Sequence, residues 1–183
     1  MGEEAPGAWD DDEELEEASA AILVDNSQVE ERPSTEMDDG TTYKGQWLSD
    51  MRHGYGIQIC PNGDKYEGKW RLGKKCGYGT FWTITGNTYE GMWKDDRANG
   101  HGVYIHHNGE RYEGEWKDNL KHGSGKEQWN NGSYFDGQFK QGLKHGKGKY
   151  LGSTGITYNG DWFEGKMEGM GVYKWADGRV YHG

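Results

Sequence analysis

The chain has 183 residues, 32 glycines, 14% aromatic residues, a formal net charge of −10 and a mean hydropathy of −1.13. Leu, Ile and Val are scarce, which argues against a two-layer core filled by aliphatic side chains. Collagen needs a three-residue period and disordered chains have few aromatic residues, so neither explains the glycine count. An elongated repeat array, which buries little and displays a long surface, fits this composition.

Two cysteines, Cys60 and Cys76, stand at unmatched places in the chain. A secreted scaffold stapled by disulfides carries more cysteines at matched positions, so we expect free thiols in a reducing compartment. We expect no signal peptide, because no apolar segment follows a basic start. The longest apolar stretch, 18–24, is too short to span a bilayer. These features predict a cytoplasmic protein.

Residues 1–38 form an acidic tail. Residues 1–39 hold 15 of the 31 Asp and Glu and one of the 21 Lys and Arg, a net charge of −14, whereas residues 40–183 have a net charge of +4. Such low-complexity acidic sequence predicts a mostly disordered segment. Within it, residues 13–24 are compatible with a short helix that docks onto a partner or onto the rest of the chain.

Residues 39–183 form a periodic array. An aromatic residue recurs every 23 positions, a glycine follows two positions later, and a large aromatic follows four positions later in the first six units. The sequence therefore contains six full repeats and the start of a seventh at Tyr181, so either the protein continues past Gly183 or its last strand is unfinished. We call the twelve aromatic side chains the aromatic ladder: Tyr43, Trp47, Tyr66, Trp70, Tyr89, Trp93, Tyr112, Trp116, Phe135, Phe139, Tyr158 and Trp162.

Each repeat predicts a β-hairpin. With the first aromatic residue as position 0, positions 0, +2 and +4 project to one side of a strand, as Tyr43, Gly45 and Trp47 do. A second strand runs from about +11 to +17 and begins with paired glycines such as Gly54 and Gly56. Each glycine costs roughly 1 kcal/mol in a helix interior, which excludes a helix there. We interpret the glycines as positions over which an aromatic ring of the neighbouring strand lies flat.

A turn precedes the first strand of each repeat. The glycine at +20 usually follows Asn or Asp, as in Asn62-Gly63, and such pairs supply the positive φ angles of tight hairpin turns. An isolated hairpin is marginally stable, so stability comes from its neighbours. The predicted fold is therefore all-β, a single-layer twisted antiparallel meander about 60 Å long at ~4.8 Å per strand.

The repeat resembles a known family. Residues 112–116 (Tyr-Glu-Gly-Glu-Trp), followed by 122–125 (His-Gly-Ser-Gly), resemble the MORN repeat, the membrane occupation and recognition nexus. The resemblance covers residues 40–183 and implies the single-layer twisted sheet described above. The chain departs from the repeat pattern where Cys76, Asn99 and Glu168 replace the histidine and where Phe135 and Phe139 replace Tyr and Trp.

The histidines do not suggest a catalytic site. His53, His122 and His145 occupy the same place in successive hairpins, with no Cys or carboxylate at ligand spacing, so packing or hydrogen bonding at the hairpin edge is favoured. His106 and His107 are adjacent in a predicted strand and should point to opposite faces. Because no nucleophile with a partner base and no phosphate loop is identifiable, we predict no enzymatic activity, metal or cofactor.

Two surfaces are candidate partner sites. No second layer covers the sheet, so we expect part of the aromatic ladder to contact solvent or a protein partner. A loop at +8 and +9 carries at least one base in every repeat, which predicts a stripe that we call the basic edge: Arg52, Lys74, Lys75, Arg97, Lys121, Lys144 and Lys166. It suits anionic lipid headgroups, acidic proteins or the acidic tail, or it serves solubility alone. Nucleic acid is disfavoured by the modest net charge and the competing tail.

Three functions stay open. The first is a non-catalytic scaffold that binds proteins of a cytoskeletal assembly. Radial-spoke-head proteins of motile cilia combine similar arrays with acidic segments, so the resemblance suggests the axoneme of a cilium or flagellum. The second is a membrane-tethering module that binds anionic phospholipids, and the third is the regulatory repeat region of a larger enzyme. Open terminal strands also predict edge-to-edge self-association.

Overall fold

The computed structural model describes residues 26–183, and the helix predicted at 13–24 lies outside them. Apart from a short 3₁₀ helix, Asn26–Gln28, the described chain forms one antiparallel sheet whose fourteen strands are ordered in space as in sequence. The predicted single-layer meander is confirmed. The strands are β1 Val29–Glu36, β2 Thr42–Leu48, β3 Met51–Ile59, β4 Lys65–Arg71, β5 Lys74–Trp82, β6 Thr88–Lys94, β7 Arg97–Ile105, β8 Arg111–Lys117, β9 Leu120–Gln128, β10 Tyr134–Lys140, β11 Leu143–Leu151, β12 Thr157–Phe163, β13 Lys166–Lys174 and β14 Val180–His182.

The last part of the acidic tail is a strand rather than a disordered segment. β1 pairs with β2, and Val29 lies opposite Leu48. The sequence conceals this strand because its residues, VEERPSTE, are mostly charged or polar. A charged outer strand resists unwanted pairing of its free edge. Pro33 lies where the register shifts between Arg32 and Thr35, a place where a missing N–H group is tolerated.

The predicted turn at +20 is present in each repeat, in a different form from that expected. The Gly63 N–H donates to the Cys60 carbonyl at 2.8 Å, and the Cys60 N–H donates to the Asp64 carbonyl at 2.8 Å. Gly63 has a φ of 90°, whereas Asn62 stays outside the positive-φ region. This is the three-residue hairpin loop in which a left-handed glycine follows a type I turn.

A second, tighter turn joins the two strands within each repeat. Leu72 and Gly73 have φ angles of 48° and 84°, and Asp95 and Asp96 have 48° and 67°. Two consecutive positive φ angles are typical of a two-residue type I′ hairpin loop. The loop expected at +8 and +9 is therefore wrong, because those residues begin the second strand, as Lys74 begins β5. The turn lies at +6 and +7, where every full repeat has Gly, Asn or Asp at +7.

Glycine pairs across neighbouring strands make room for the rings. Gly68 lies opposite Gly79, and a Cβ placed on Gly79 would be 2.4 Å from the Tyr66 hydroxyl oxygen. The equivalent close approach occurs in all six repeats. The interpretation that a ring of the neighbouring strand lies over a glycine is confirmed for the residue at position 0. Just beyond the pair, the register shifts between Gly68 and Trp70, so the second strand bulges there.

Candidate functional site: the two faces of the sheet

The aromatic ladder is the core of the protein. Eleven of its twelve side chains are at most 8% exposed, and Trp116 is half-buried. Each ring packs edge-on against its neighbours, as Tyr66 does against Trp70 at 5.1 Å and Trp93 at 5.3 Å between ring centres. The expectation that part of the ladder contacts solvent holds for Trp116 alone, because rings, glycines and overlying side chains cover the other eleven without a second layer. The partner-binding role of the ladder residues stays a prediction.

Hydrogen bonds fix the rings in place. The Tyr66 hydroxyl donates to the Lys69 carbonyl at 3.0 Å. The Trp93 indole donates to the Gly79 carbonyl of the preceding repeat at 3.0 Å. Trp47 belongs to the first repeat, and its buried Nε1 has no hydrogen-bond partner within residues 26–183. Burial also raises the pKa of Tyr43 to about 12, so the neutral phenol is the stable form inside the ladder.

The basic edge is divided between two faces. Position +9 pairs with a ladder residue, as Lys75 does with Trp70, so its side chain turns onto the ladder face. Position +8 points the other way, and Lys74 there pairs with Asp95 at 3.3 Å. The single stripe predicted from the sequence is thus absent. Lys74, Arg97 and Lys166 are exposed away from the ladder, and we call the four bases over the rings the cation row: Arg52, Lys75, Lys121 and Lys144.

The cation row covers the rings and is neutralised at one end. The Arg52 guanidinium lies 4.2 Å from the centre of the Trp70 ring, within the range of a cation–π contact. In the fourth and fifth repeats, Glu127 contacts Lys121 and lies 3.0 Å from Lys144. Burial raises the pKa of Glu127, but the two ammonium groups outweigh burial and hold this pKa below its usual value. An ionised carboxylate is therefore stable on this face.

The opposite face carries an exposed apolar patch that the sequence analysis missed. Positions +12, +14 and +16 of the second strands alternate onto this face, and Tyr55 and Tyr78 there are 51% and 53% exposed. The Tyr55 hydroxyl donates to Glu67 at 2.8 Å, which holds its ring in place. The signal was present in the sequence as apolar residues at seven of these nine positions in the first three repeats. We define the apolar patch as Tyr55, Ile57, Ile59, Tyr78, Trp82, Val103 and Ile105.

The same positions in the fourth and fifth repeats are polar, except for one leucine. They hold Ser124, Lys126, Gln128, Lys147, Lys149 and Leu151. Lys126, Lys147 and Lys149 are exposed, and Lys147 pairs with Asp161 at 2.6 Å. The opposite face is therefore apolar towards the N-terminal end of the array and basic towards its middle, although the framework beneath it does not change.

The histidines lie in structural positions. His53 is buried, and its Nδ1 accepts the Leu72 N–H of the next repeat at 3.4 Å. His106 and His107 lie beyond the end of β7 at Ile105, with ring centres 4.1 Å apart. The expectation that they point to opposite faces of a strand is wrong, because they belong to the turn. Within residues 26–183, no group of three or more His, Cys, Asp or Glu side chains is placed to hold a metal ion.

These features define a class of protein, the single-sheet β-repeat array whose core is a ladder of rings on glycine. A family model of the MORN repeat matches residues 43–65, 66–88, 89–111, 112–134, 135–157 and 158–178. The chain therefore belongs to the MORN-repeat family, and the resemblance seen in the sequence is confirmed. Repeats of this family are typically non-catalytic scaffold modules that bind proteins or membranes. No helix within the described part of the chain is long and apolar enough to cross a membrane.

Two solved structures show partial similarity. The TCP domain of SAS-4 (dCPAP) from Drosophila melanogaster, solved in complex with a proline-rich motif of Ana2, is 13% identical, with a TM-score of 0.45 over 100% of this chain and 97% of that chain. A catalytically inactive virginiamycin B lyase from Staphylococcus aureus with quinupristin is 10% identical, with a TM-score of 0.18 over 87% of this chain and 71% of that chain. Both scores are too low to carry an argument about function. No curated protein matches the chain.

Proposed function

We propose that the protein is a non-catalytic scaffold that binds other proteins through the apolar patch on the face opposite the ladder. The observation that carries this proposal is the exposure of Tyr55, Tyr78, Ile59 and Ile105 on neighbouring hairpins of one face. These side chains stand on β3, β5 and β7, and the intervening β4 presents the charged Glu67 to the same face. A surface that mixes exposed aromatic and aliphatic side chains with polar ones is typical of protein-binding surfaces. Membership of the MORN-repeat family supports the same function.

The patch is small, so it is the centre of a binding surface rather than the whole of one. It extends from β3 to β7, four strand spacings or about 19 Å, and from +12 to +16, about 13 Å along each strand. The product is about 250 Å², which includes charged side chains of β4 and β6 and lies below the ~300–600 Å² of the largest apolar patch on a typical monomer. The hydrogen-bonded sheet beneath it is rigid, so little conformational entropy is lost when a partner docks.

The setting that we propose is a cytoskeletal assembly, namely the axoneme of a cilium or flagellum in the manner of a radial-spoke head. This part rests on the combination of the repeat array with an acidic segment. Fractionation of the native source tests it. Recovery with the detergent-insoluble axoneme supports the setting, and recovery only in the soluble or membrane fraction contradicts it.

Affinity purification with the full chain as bait tests the binding surface. We expect the variant carrying Tyr55→Ser and Tyr78→Ser to lose the proteins that the wild type captures, because both exposed rings leave the patch. The matched control, Lys126→Ser with Lys149→Ser, changes the same face in other repeats and should keep them. Circular dichroism checks that both variants fold. Capture that is unchanged in the tyrosine variant would refute the proposal.

A second candidate function is the binding of anionic phospholipid. The observation that favours it is the exposure of Lys126, Lys147 and Lys149 on one face. Sedimentation with vesicles that contain phosphatidylserine tests it with the same two variants. If lipid binding is a function, Lys126→Ser with Lys149→Ser should abolish sedimentation while the tyrosine variant keeps it. Sedimentation that does not depend on these lysines would exclude this site.

A further inference from the structure

Lys121 and Lys144 of the cation row share a carboxylate partner, whereas Arg52 and Lys75 have none within residues 26–183. Glu127, at position +15 of the fourth repeat, bridges Lys121 and Lys144. The same position of the first repeat is Gln58, whose amide oxygen accepts a hydrogen bond from Arg52 at 2.7 Å. A neutral amide therefore replaces the carboxylate at the N-terminal end of the row.

Lys75 is the least compensated base on the ladder face. Its ammonium lies 4.9, 4.8 and 5.2 Å from the ring centres of Tyr66, Phe81 and Trp93, and it forms no ion pair with a carboxylate of residues 26–183. Burial lowers the pKa of Lys75 and outweighs the opposite influence of Asp96. A half-buried ammonium over aromatic rings gains most from an ionised hydrogen-bond partner.

The complementary charge is in the N-terminal segment. Residues 1–25 contain ten Asp and Glu and no Lys or Arg, whereas residues 26–183 contain 21 of each sign. The formal net charge of −10 therefore lies entirely in the first 25 residues. Four of these acids are clustered at 13, 14, 16 and 17, and they flank Leu15.

The strand β1 starts at the same end of the sheet as the strands that carry Arg52 and Lys75. Val29 at the start of β1 pairs with Leu48, which pairs with Met51 beside Arg52. The segment before β1 therefore enters at the ends of the strands that carry Arg52 and Lys75. The strands of these two bases lie two and four spacings from β1, about 10 and 19 Å. The eight residues between 17 and 26 extend up to about 26 Å, which is long enough.

We propose that residues 13–17 dock onto the ladder face, with their carboxylates against Arg52 and Lys75. Glu127 shows within the same molecule how a carboxylate is accommodated between two members of the row. The docked segment covers the ladder face of the first two repeats and leaves the apolar patch on the other face free. This proposal is independent of the function proposed above.

Zero-length cross-linking of the full chain by a carbodiimide, followed by mass spectrometry, tests the contact. We expect residues 13–17 to cross-link to Lys75 about tenfold more than to Lys74, the preference that one charge-assisted contact gives. Lys74 is the matched control because it is adjacent, 58% exposed and on the other face. Lys75→Arg should remove the product, and high salt should weaken it. Equal or greater reaction at Lys74, or products of twice the chain mass, would overturn an intrachain contact.

The indole NMR signals give a second, independent readout. Changing the four glutamates at 13, 14, 16 and 17 to glutamine should shift the indole N–H signals of Trp70 and Trp93 and leave that of Trp162 unchanged. The matched control, Glu3→Gln with Glu4→Gln, should shift none of them. Unchanged signals of Trp70 and Trp93 in the quadruple variant, or equal shifts at Trp162, would overturn the proposal.

Discussion

Replacement of Gly79 by alanine tests the packing of rings on glycine. A Cβ at this position would lie 2.4 Å from the Tyr66 hydroxyl oxygen and 2.7 Å from its Cζ. The ring has no room to move aside, because it is 1% exposed and is held edge-on between Trp70 and Trp93. Alanine therefore displaces the ring from its place in the ladder.

The cost of this displacement follows from two contributions. Overpacking of a buried site costs about 1–3 kcal/mol. Loss of the hydrogen bond from the Tyr66 hydroxyl to the Lys69 carbonyl, 3.0 Å long, adds about 1 kcal/mol. The sum of about 2–4 kcal/mol corresponds to a roughly 30- to 700-fold increase in local opening, at about 1.4 kcal/mol per factor of ten. Gly79 does not have a left-handed φ, so backbone strain contributes nothing.

Hydrogen exchange of peptides from β4 and β5 is the appropriate assay, because repeats of an array open locally rather than together. The matched control is Thr80→Ala on the same strand, whose side chain is half-buried on the opposite face. We expect the control to change exchange by less than about fivefold, or ~1 kcal/mol. If Gly79→Ala exchanges like the wild type, the ring does not depend on the missing Cβ and the packing argument fails.

Three further outcomes are expected. Trp93→Phe should destabilise the array by about 1 kcal/mol more than Trp47→Phe in urea unfolding, because only the Trp93 indole has a hydrogen bond to lose; equal losses would contradict this. Glu127→Gln should destabilise the protein by about 1–3 kcal/mol at neutral pH. The depressed pKa of Glu127 means that this difference is present above the usual glutamate pKa and vanishes as pH falls through the lower, folded value; a difference that persists in acid would refute the ion pair. For Tyr43, whose pKa is raised to about 12, stability is complete below about pH 10 and declines as pH rises towards 12. Tyrosinate absorbance at pH 10 that the folded wild type shows and the folded Tyr43→Phe variant lacks would disagree, since the other tyrosines contribute equally to both proteins.

Much of the fold could be predicted from the sequence because its determinants are periodic. The 23-residue recurrence locates every hairpin, and the alternation of Tyr43, Gly45 and Trp47 assigns one face. The Asn-Gly and Asp-Gly pairs locate the turns. The strand β1 was not predictable from this pattern, because residues 29–36 belong to no repeat and pair on one side only.

The charged surfaces were harder to predict because successive residues of a strand point to opposite faces of the sheet, so an error of one position moves a side chain to the other face. Lys74 and Lys75 are neighbours in sequence, but only Lys75 lies over the rings. Their separation depends on the I′ turn at Leu72 and Gly73, which lies two residues before the loop that the sequence pattern predicts. The burial of the ladder was equally hidden, because the sequence shows how many rings exist and does not show that they cover one another.

The bonds from indoles to glycine carbonyls run in one direction along the chain. The Trp70, Trp93, Trp116 and Trp162 indoles all donate to a carbonyl of the repeat made before their own. During synthesis, each new hairpin that leaves the ribosome therefore meets an acceptor that is already in place. The array can therefore grow from its first repeat onward, in step with translation and without waiting for its C-terminus.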